Sequence, residues 1–291
     1  MFKSLNRFPP RQLFLLIAGP FMASVLAICP AWSLDSGWAE TEGGRMRLVI
    51  DPAPRQDGTI GGILDIDLDP GWKTYWRDPG SAGIPPMLDV SASRNIDLDA
   101  MHYPPPVRVD DGYAIWAGYT APIRFPLTFR RTGSGKAVLR ALAFVGICEK
   151  ICVPFQAEFT IDLPEGSVSD DQARIMIADA FARLPETPGP DFELKTASFD
   201  AGSKQLEISA SLPGFRPAGA TPQLFVAGPQ GFAFAQPEIV SDENGLAKWI
   251  VRIEDLPNLA PDSTGENINV VVTFGQRAVE QNVPTGRVPE N

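Results

Sequence analysis

Residues 137–162 read AVLRALAFVGICEKICVPFQAEFTID and predict two neighbouring strands. Residues 137–145 are apolar in both alternate sets except at Arg140, which predicts a central strand covered on both faces. After Pro154 apolar and polar residues alternate, which is typical of a half-buried strand. The apolar set there is Phe155, Ala157, Phe159 and Ile161. We therefore predict one strand that ends near Val145 and a second that begins near Val153.

The connection between these strands is bracketed by Cys148 and Cys152, with three residues between them. Paired ends of antiparallel strands bring Cα atoms about 4.5–5.5 Å apart, close enough for a disulfide. A single helical turn would also bring residues i and i+4 together. A continuous strand would hold them roughly 13 Å apart. The pair can therefore form a disulfide if the chain turns here.

Such a close pair is either a structural staple or a redox site. In the chain-entropy model, a disulfide that closes a loop of ~5 residues stabilises a protein by about 2 kcal/mol, against about 5 kcal/mol for a loop of ~100 residues. A tight loop also tends to store strain, which makes the bond easier to reduce. The residues alone favour the redox interpretation only slightly, and a purely structural disulfide is retained as the alternative.

Alternating residues elsewhere predict further strands across residues 38–165. The apolar sets are Met46, Leu48 and Ile50, then Leu64, Ile66 and Leu68, then Phe125, Leu127 and Phe129. Val49 falls in the outward set of the first strand, and three aspartates form an acidic outer face on the second. Asp111-Gly112 predicts a two-residue hairpin turn. Several short strands separated by turns predict an antiparallel β-sandwich.

A helix is predicted over residues 169–186, where the alternation stops. Ser169 and Gln172 form a capping box, with Ser169 as the N-cap. The apolar residues that follow fall on one helical face: Ala173, Met176, Ile177, Ala180, Phe181 and Leu184. Three prolines from Pro185 to Pro190 end the helix and predict a stiff linker.

A second β-rich region is predicted over residues 190–285. Apolar and polar residues alternate over residues 206–212, and short apolar runs follow at residues 224–226, 232–234, 249–251 and 270–272. This region has no Cys and no His, so it lacks the usual groups for redox, nucleophilic or metal chemistry. We expect a structural or partner-binding module. The predicted fold class is all-β, with a single connecting helix.

Residues 1–33 have the pattern of an export signal. A basic start with Lys3, Arg7 and Arg11 precedes an apolar run over residues 13–28, and small residues at Ala31 and Ser33 suit a cleavage site. Cys29 would be removed with this segment. No other apolar stretch is long enough to cross a bilayer, so no stable membrane insertion is expected after cleavage. The formal net charge of −10 opposes nucleic-acid binding.

Other chemistry has little support in the sequence. His102 is the single histidine, so neither a Ser-His-Asp nor a Cys-His arrangement can be argued from it. Met101 and His102, together with the two cysteines, could form a soft Cu(I) site. Because the two halves are far apart in sequence, copper is a minor option. No cofactor and no metal site are predicted.

Several motifs occur in a characteristic order along the chain. They are residues 71–80 (GWKTYWRDPG), 82–86 (AGIPP), 103–106 (YPPP), 118–119 (GY) and 145–154 (VGICEKICVP). Together they resemble the N-terminal periplasmic domain of the thiol:disulfide interchange protein DsbD family, most closely the branch related to the copper-sensitivity suppressor protein ScsB. The resemblance covers roughly residues 40–165.

This resemblance implies an immunoglobulin-like sandwich and assigns roles to individual residues. Cys152 resembles the attacking cysteine and Cys148 the resolving one. An acidic and aromatic cap loop is implied at Asp110, Asp111, Gly112 and Tyr113, where a plain hairpin turn is an equal alternative. Trp72, Tyr75 and Trp76 are candidates for the wall of the site, and ordinary core packing is the alternative for each of them.

The function implied is electron exchange between exported thiol proteins. We expect a periplasmic protein that receives electrons from a separate membrane thiol transporter, since the chain contains neither the membrane module nor the thioredoxin-like domain of longer members. It would pass them to periplasmic thioredoxin-like or disulfide-containing proteins. Three residues separate the cysteines here, rather than five as in the best-known members. The alternative is a non-enzymatic periplasmic binding module, in copper handling or envelope and cytochrome c assembly, with a structural disulfide.

Overall fold

The computed structural model describes residues 34–80, 83–110, 112–200, 202–229, 231–255 and 267–284. The predicted export signal and Cys29 lie outside these residues. The described residues belong to one compact unit. The predicted all-β fold class is confirmed, because every pair of strands named below is antiparallel and the described part contains a single α-helix.

Two sheets pack face to face in the first part of the chain. Their strands are β1 (Ala39–Thr41), β2 (Gly44–Pro54), β3 (Ile60–Leu68), β4 (Lys73–Tyr75), β5 (Met87–Asp89), β6 (Asp97–Met101), β7 (Val107–Asp110), β8 (Ile115–Tyr119), β9 (Ile123–Arg130), β10 (Ala137–Cys148) and β11 (Cys152–Leu163). One sheet has the order β1-β2-β3-β9-β6. The other has the order β11-β10-β4-β8-β7, and β5 also pairs with β10.

The core between these sheets is made by the apolar sets that the alternation predicts. Buried members include Met46, Leu48, Ile50, Leu64, Ile66, Phe125, Leu127 and Phe129 from the first sheet, and Leu139, Ala141, Ala143, Val145 and Ile147 from β10. The opposite face of β10 is covered only in part, since Leu142 and Phe144 are half-buried. The prediction of a strand covered on both faces is therefore too strong for the middle of β10.

The outer face of the first sheet is also partly covered. Val49, predicted to point outward, is only 4 % exposed because it packs with Ile63 against the helix. Asp65, predicted on an exposed acidic face, is buried between Arg47 and Arg124, with N–O distances of 3.1 and 3.2 Å. A packed helix and ion pairs therefore replace the expected solvent-exposed face.

The helix α1 spans Asp171–Ala182, which is shorter than predicted. Its N-cap is Asp170, whose Oδ1 accepts a hydrogen bond from Ala173 N at 2.8 Å. The prediction of Ser169 as the cap is wrong, because the Ser169 hydroxyl donates to Asp51 Oδ2 at 2.9 Å instead. The helix therefore begins one residue later, and a side-chain bond to β2 holds the residue before its cap.

A second group of strands follows the helix. They are β12 (Glu193–Asp200), β13 (Gln205–Ser211), β14 (Gln223–Ala227), β15 (Ala233–Phe234), β16 (Glu238–Glu243), β17 (Leu246–Asp255), β18 (Asn267–Phe274) and β19 (Arg277–Pro284). They form one sheet of order β12-β13-β17-β15, with β16 on β17, and another of order β14-β18-β19. These strands enclose a separate apolar cluster around Ile208, Trp249 and Val270.

The two groups of strands are in direct contact. The Trp76 ring packs edge-on against Phe225 with centroids 5.9 Å apart, and Arg77 pairs with Glu280 at 3.1 Å. In the proline-rich connection, Glu186 N donates to Ala278 O at 2.7 Å. The predicted linker is therefore fixed to the second group of strands. Within the described residues, no helix has both the length and the hydropathy needed to cross a membrane.

Candidate functional site

The two cysteines end a long β-hairpin. β10 and β11 pair in one continuous register from Ala137 opposite Leu163 to Cys148 opposite Cys152. A disulfide joins Cys148 and Cys152, whose Cα atoms are 4.2 Å apart. Of the two arrangements that permit a bond, the structure has paired strand ends, with a three-residue turn over residues 149–151.

The two sulfurs have different environments. Cys148 is 1 % exposed and packs with Tyr75, Trp116 and Val109. Cys152 is exposed, as is the neighbouring Ile151. Because thiol–disulfide exchange requires access to the sulfur that is attacked, an incoming thiolate reaches Cys152 more readily than Cys148.

Tyr75 contacts both sulfurs of the disulfide. Its hydroxyl lies 3.0 Å from Cys148 Sγ and 3.1 Å from Cys152 Sγ. The strand β4 places it there, because Lys73 and Thr74 pair with Cys148 and Ile147 on β10. The buried Thr74 hydroxyl also donates to Gly146 O at 2.8 Å, which ties β4 to β10 beside the disulfide.

Two glycines allow the backbone to approach the Tyr75 ring closely. Gly83 has a φ of 137°, and a Cβ there would lie 2.6 Å from the Tyr75 ring. At Gly146 a Cβ would lie 2.6 Å from the Ile84 Cβ and 3.3 Å from the Tyr75 ring. Only glycine permits this approach. Gly83 and Ile84 therefore lie close to Gly146 beside the Tyr75 ring.

Trp116 also forms part of the wall of the site, although no sequence motif identified it. It is buried and packs edge-on against Tyr75, with ring centroids 5.8 Å apart and planes at 79°. The Lys73 ammonium lies 4.5 Å from the centroid of its ring. In the sequence Trp116 lies in an ordinary apolar strand, so the pairing of β4 with β8 was the missing information.

The other predicted wall residues lie elsewhere. Trp76 is 1 % exposed and belongs to the main sandwich core. Trp72 is partly buried against that same core, beside Gly43. Of the three aromatic candidates, the structure brings only Tyr75 into the cluster around Cys148.

The predicted cap loop is the connection between β7 and β8. Asp110 pairs with Ile115, so the connection has four residues, and the prediction of a two-residue turn is wrong. Asp110 is exposed and accepts a hydrogen bond from Gly112 N at 2.9 Å, while Tyr113 is 100 % exposed. Asp111 lies outside the described residues. In this structure Tyr113 is therefore not packed over the disulfide, and the hairpin contributes Val109 and Trp116 to the site instead.

A cleft of about 260 Å³ has Trp116 in its wall, together with residues from both groups of strands. Arg108 on β7 crosses between the groups: it donates to Leu224 O at 2.6 Å and stacks 4.7 Å from the Phe225 ring centroid. Burial lowers the pKa of Arg108 to about 10 and raises the pKa of Asp78 in the same cleft. The second group of strands thus holds the hairpin that carries Trp116.

The residues considered for copper do not gather at the disulfide. The His102 ring lies 2.9 Å from the Thr128 hydroxyl through Nε2 and packs edge-on against Phe181. Burial lowers the pKa of His102. Met101 ends β6, which belongs to the other sheet. Across the described ranges, no group of three or more His, Cys, Asp or Glu residues is arranged to hold a metal ion.

Two parts of the chain match known protein families. Residues 48–164 match the family described as "Thiol:disulfide interchange protein DsbD, N-terminal". Residues 183–287 match a domain of unknown function, DUF8393. No curated protein matches the chain. The resemblance inferred from the motifs is therefore confirmed for residues 48–164.

A similar solved structure is the N-terminal periplasmic domain of ScsB from Proteus mirabilis. The TM-score is 0.65 at 21 % sequence identity, and the match covers 88 % of this chain and 99 % of that one. This likeness concerns the fold, and it confirms the predicted immunoglobulin-like β architecture.

Proposed function

We propose that the chain, which carries a DsbD N-terminal domain, is an exported thiol–disulfide exchange protein whose redox centre is the Cys148–Cys152 pair. It takes electrons from a separate membrane thiol transporter and passes them to periplasmic thioredoxin-like or disulfide-containing proteins. The observation that carries the proposal is the asymmetry of the pair, with an exposed Cys152 and a buried Cys148 at the end of a hairpin.

Reduction of the pair begins at the exposed sulfur. A donor thiolate attacks Cys152 Sγ and forms a mixed disulfide, while the bond to Cys148 breaks and its electron pair stays on Cys148 Sγ. A second donor thiolate then attacks the donor sulfur of the mixed disulfide and releases Cys152 as a thiolate. Two electrons have moved from the donor, which leaves as a disulfide.

Transfer of electrons to the substrate runs these steps in reverse, and Cys152 is again the sulfur that meets the partner. The Cys152 thiolate attacks the substrate disulfide and displaces one substrate thiolate. Cys148 then attacks Cys152 Sγ, restores the internal disulfide and releases the second substrate thiolate. This division of work matches the burial of the two residues, because only Cys152 has to meet another protein.

A structural staple explains the arrangement less well. The pair closes a loop of ~5 residues, for which chain entropy supplies about 2 kcal/mol. The bond lies at the end of strands of 12 residues that are already paired along their length. A covalent link across so short a loop constrains the unfolded chain less than one that closes a long loop.

The proposed location is the periplasm. Residues 1–33 have the pattern of an export signal, and the similar ScsB domain is described as periplasmic. An oxidising compartment is also where disulfides persist.

The experiment that tests the proposal is a redox titration of the purified protein in dithiothreitol buffers, with the reduced fraction measured by alkylation and mass spectrometry. We expect a midpoint less negative than about −300 mV, outside the range typical of structural disulfides. A variant with both cysteines replaced by Ser gives the baseline. A pair that stays oxidised until the potential is more negative than about −300 mV would contradict the proposal.

A further inference from the structure

We propose that Tyr75 is a catalytic residue, whose hydroxyl donates a hydrogen bond to the sulfur of Cys148 as the disulfide breaks. This inference rests on the proposed function, since it concerns the step in which Cys148 becomes a thiolate.

The direction of the hydrogen bond follows from the chemistry of the disulfide. Neither sulfur of a disulfide carries a proton, so the Tyr75 hydroxyl is the donor in its contacts of 3.0 and 3.1 Å. One O–H group is thus shared between the two atoms of the bond that breaks. When a partner thiolate takes Cys152, the same hydroxyl is already within reach of the sulfur that leaves.

The leaving sulfur needs such a donor because it is buried. Cys148 is 1 % exposed, so water solvates its thiolate poorly. Its cluster neighbours Trp116 and Val109 are largely apolar. The charged groups near it along the chain, Glu149 and Lys150, are exposed. Hydrogen bonds to charged groups are stronger than neutral ones, so the contact with Tyr75 strengthens as charge develops on Cys148.

The hydroxyl is held in place before the reaction. Tyr75 is 3 % exposed and lies in β4, which pairs with β8 through Tyr75 and Gly118. Gly83 and Gly146 close on its ring, and Trp116 packs edge-on against it. A donor fixed in this way does not have to reorganise when the bond breaks.

The step balances without another reagent. The partner thiolate and Cys152 Sγ form the new S–S bond, and the Cys148–Cys152 bond breaks with its electron pair on Cys148. The proton remains on the Tyr75 oxygen and is shared with the Cys148 thiolate. When Cys148 later attacks Cys152 Sγ, the charge leaves Cys148 and the hydroxyl returns to its shared position.

The test compares Tyr75→Phe with a matched variant, Tyr119→Phe. Tyr119 is also a buried tyrosine of the same sheet, but its hydroxyl donates to Pro104 O at 2.8 Å. The rate constant for reduction by dithiothreitol is measured by rapid alkylation, since this small reductant needs no docking surface. We expect Tyr75→Phe to be slower by roughly 10- to 100-fold, the range of a hydrogen bond to a charged group. We expect Tyr119→Phe to stay close to the wild-type rate.

Two controls separate the possible outcomes. Thermal unfolding shows that each variant is folded, and in concentrated urea all three proteins should be reduced at the same rate. Equal rates for folded Tyr75→Phe and wild type, faster reduction of Tyr75→Phe, or equal slowing of both variants would overturn the role of Tyr75. A wild-type pair that resists dithiothreitol altogether would instead overturn the proposed function.

Discussion

A Cys152→Ser variant is expected to lose all electron transfer to an oxidised thioredoxin-like protein, while Cys148→Ser still carries out the first attack. Cys152 is exposed, whereas Cys148 is 1 % exposed behind Tyr75 and Trp116. A lone Cys148 cannot bring its sulfur to a protein partner, so removal of Cys152 leaves no accessible nucleophile. The measurement is the oxidation of pre-reduced protein, followed on non-reducing gels after thiol alkylation.

The stability of the two single variants is compared to show that both are folded. Loss of the disulfide removes about 2 kcal/mol by the loop-length account, and the paired strands β10 and β11 remain. Each variant should therefore stay folded and lose a similar amount of stability. Mixed-disulfide formation by Cys152→Ser at the rate of Cys148→Ser would contradict the assignment of roles.

A Trp76→Ala variant is expected to lower the free energy of unfolding by about 3–5 kcal/mol, as for a large aromatic residue in a protein core. Trp76 is 1 % exposed and packs on Phe225, so the change opens a cavity where the two groups of strands meet. The measurement is urea unfolding followed by circular dichroism.

The matched control is Trp72→Ala, because Trp72 is only partly buried against the same core. Its loss of stability should be smaller. The folded fraction of Trp76→Ala should keep the exchange rate of the wild type, since Trp76 lies outside the cluster around Cys148. A loss below about 1 kcal/mol would contradict the core role of Trp76. A slow reaction of the folded fraction would show that Trp76 acts at the site instead.

The hairpin around the cysteines could be predicted because its strands have strong local patterns. Alternation after Pro154 and the apolar run at residues 137–145 locate β11 and β10. The geometry of the turn could not be settled, because both paired strand ends and a helical turn bring Cys148 and Cys152 together. Only the pairing register of β10 and β11 distinguishes paired strand ends from a helical turn. That register depends on contacts along the full length of both strands.

The walls of the site depend on contacts between residues far apart in sequence. Trp72, Tyr75 and Trp76 share one short motif, yet only Tyr75 faces the sulfurs. The strand β4 has three residues, too few for an alternation pattern to identify its inner and outer faces. Trp116 comes from β8, and its role follows from the pairing of β8 with β4.

The burial of Val49 on the outer face of β2 could not be predicted for a similar reason. Val49 occupies an outward position in its strand, and only the helix packed on it explains its burial. The helix start was shifted by one residue because Ser169 and Asp170 are both good N-caps, and Ser169 bonds to Asp51 on β2 instead. Local preference therefore allows either residue as the N-cap. The structure has Asp170 as the cap together with the contact between Ser169 and Asp51.

Covalent capture measures which of the two cysteines reacts with a protein partner. A thioredoxin with one active-site cysteine, activated as its thionitrobenzoate disulfide, is mixed with Cys148→Ser and with Cys152→Ser, and the products are measured by intact mass. Because access controls the rate of attack, we expect Cys148→Ser to form the mixed disulfide through Cys152 at least about 100-fold faster than Cys152→Ser forms one. Equal rates, or faster capture by Cys152→Ser through Cys148, would show that Cys152 is not the cysteine that attacks the partner.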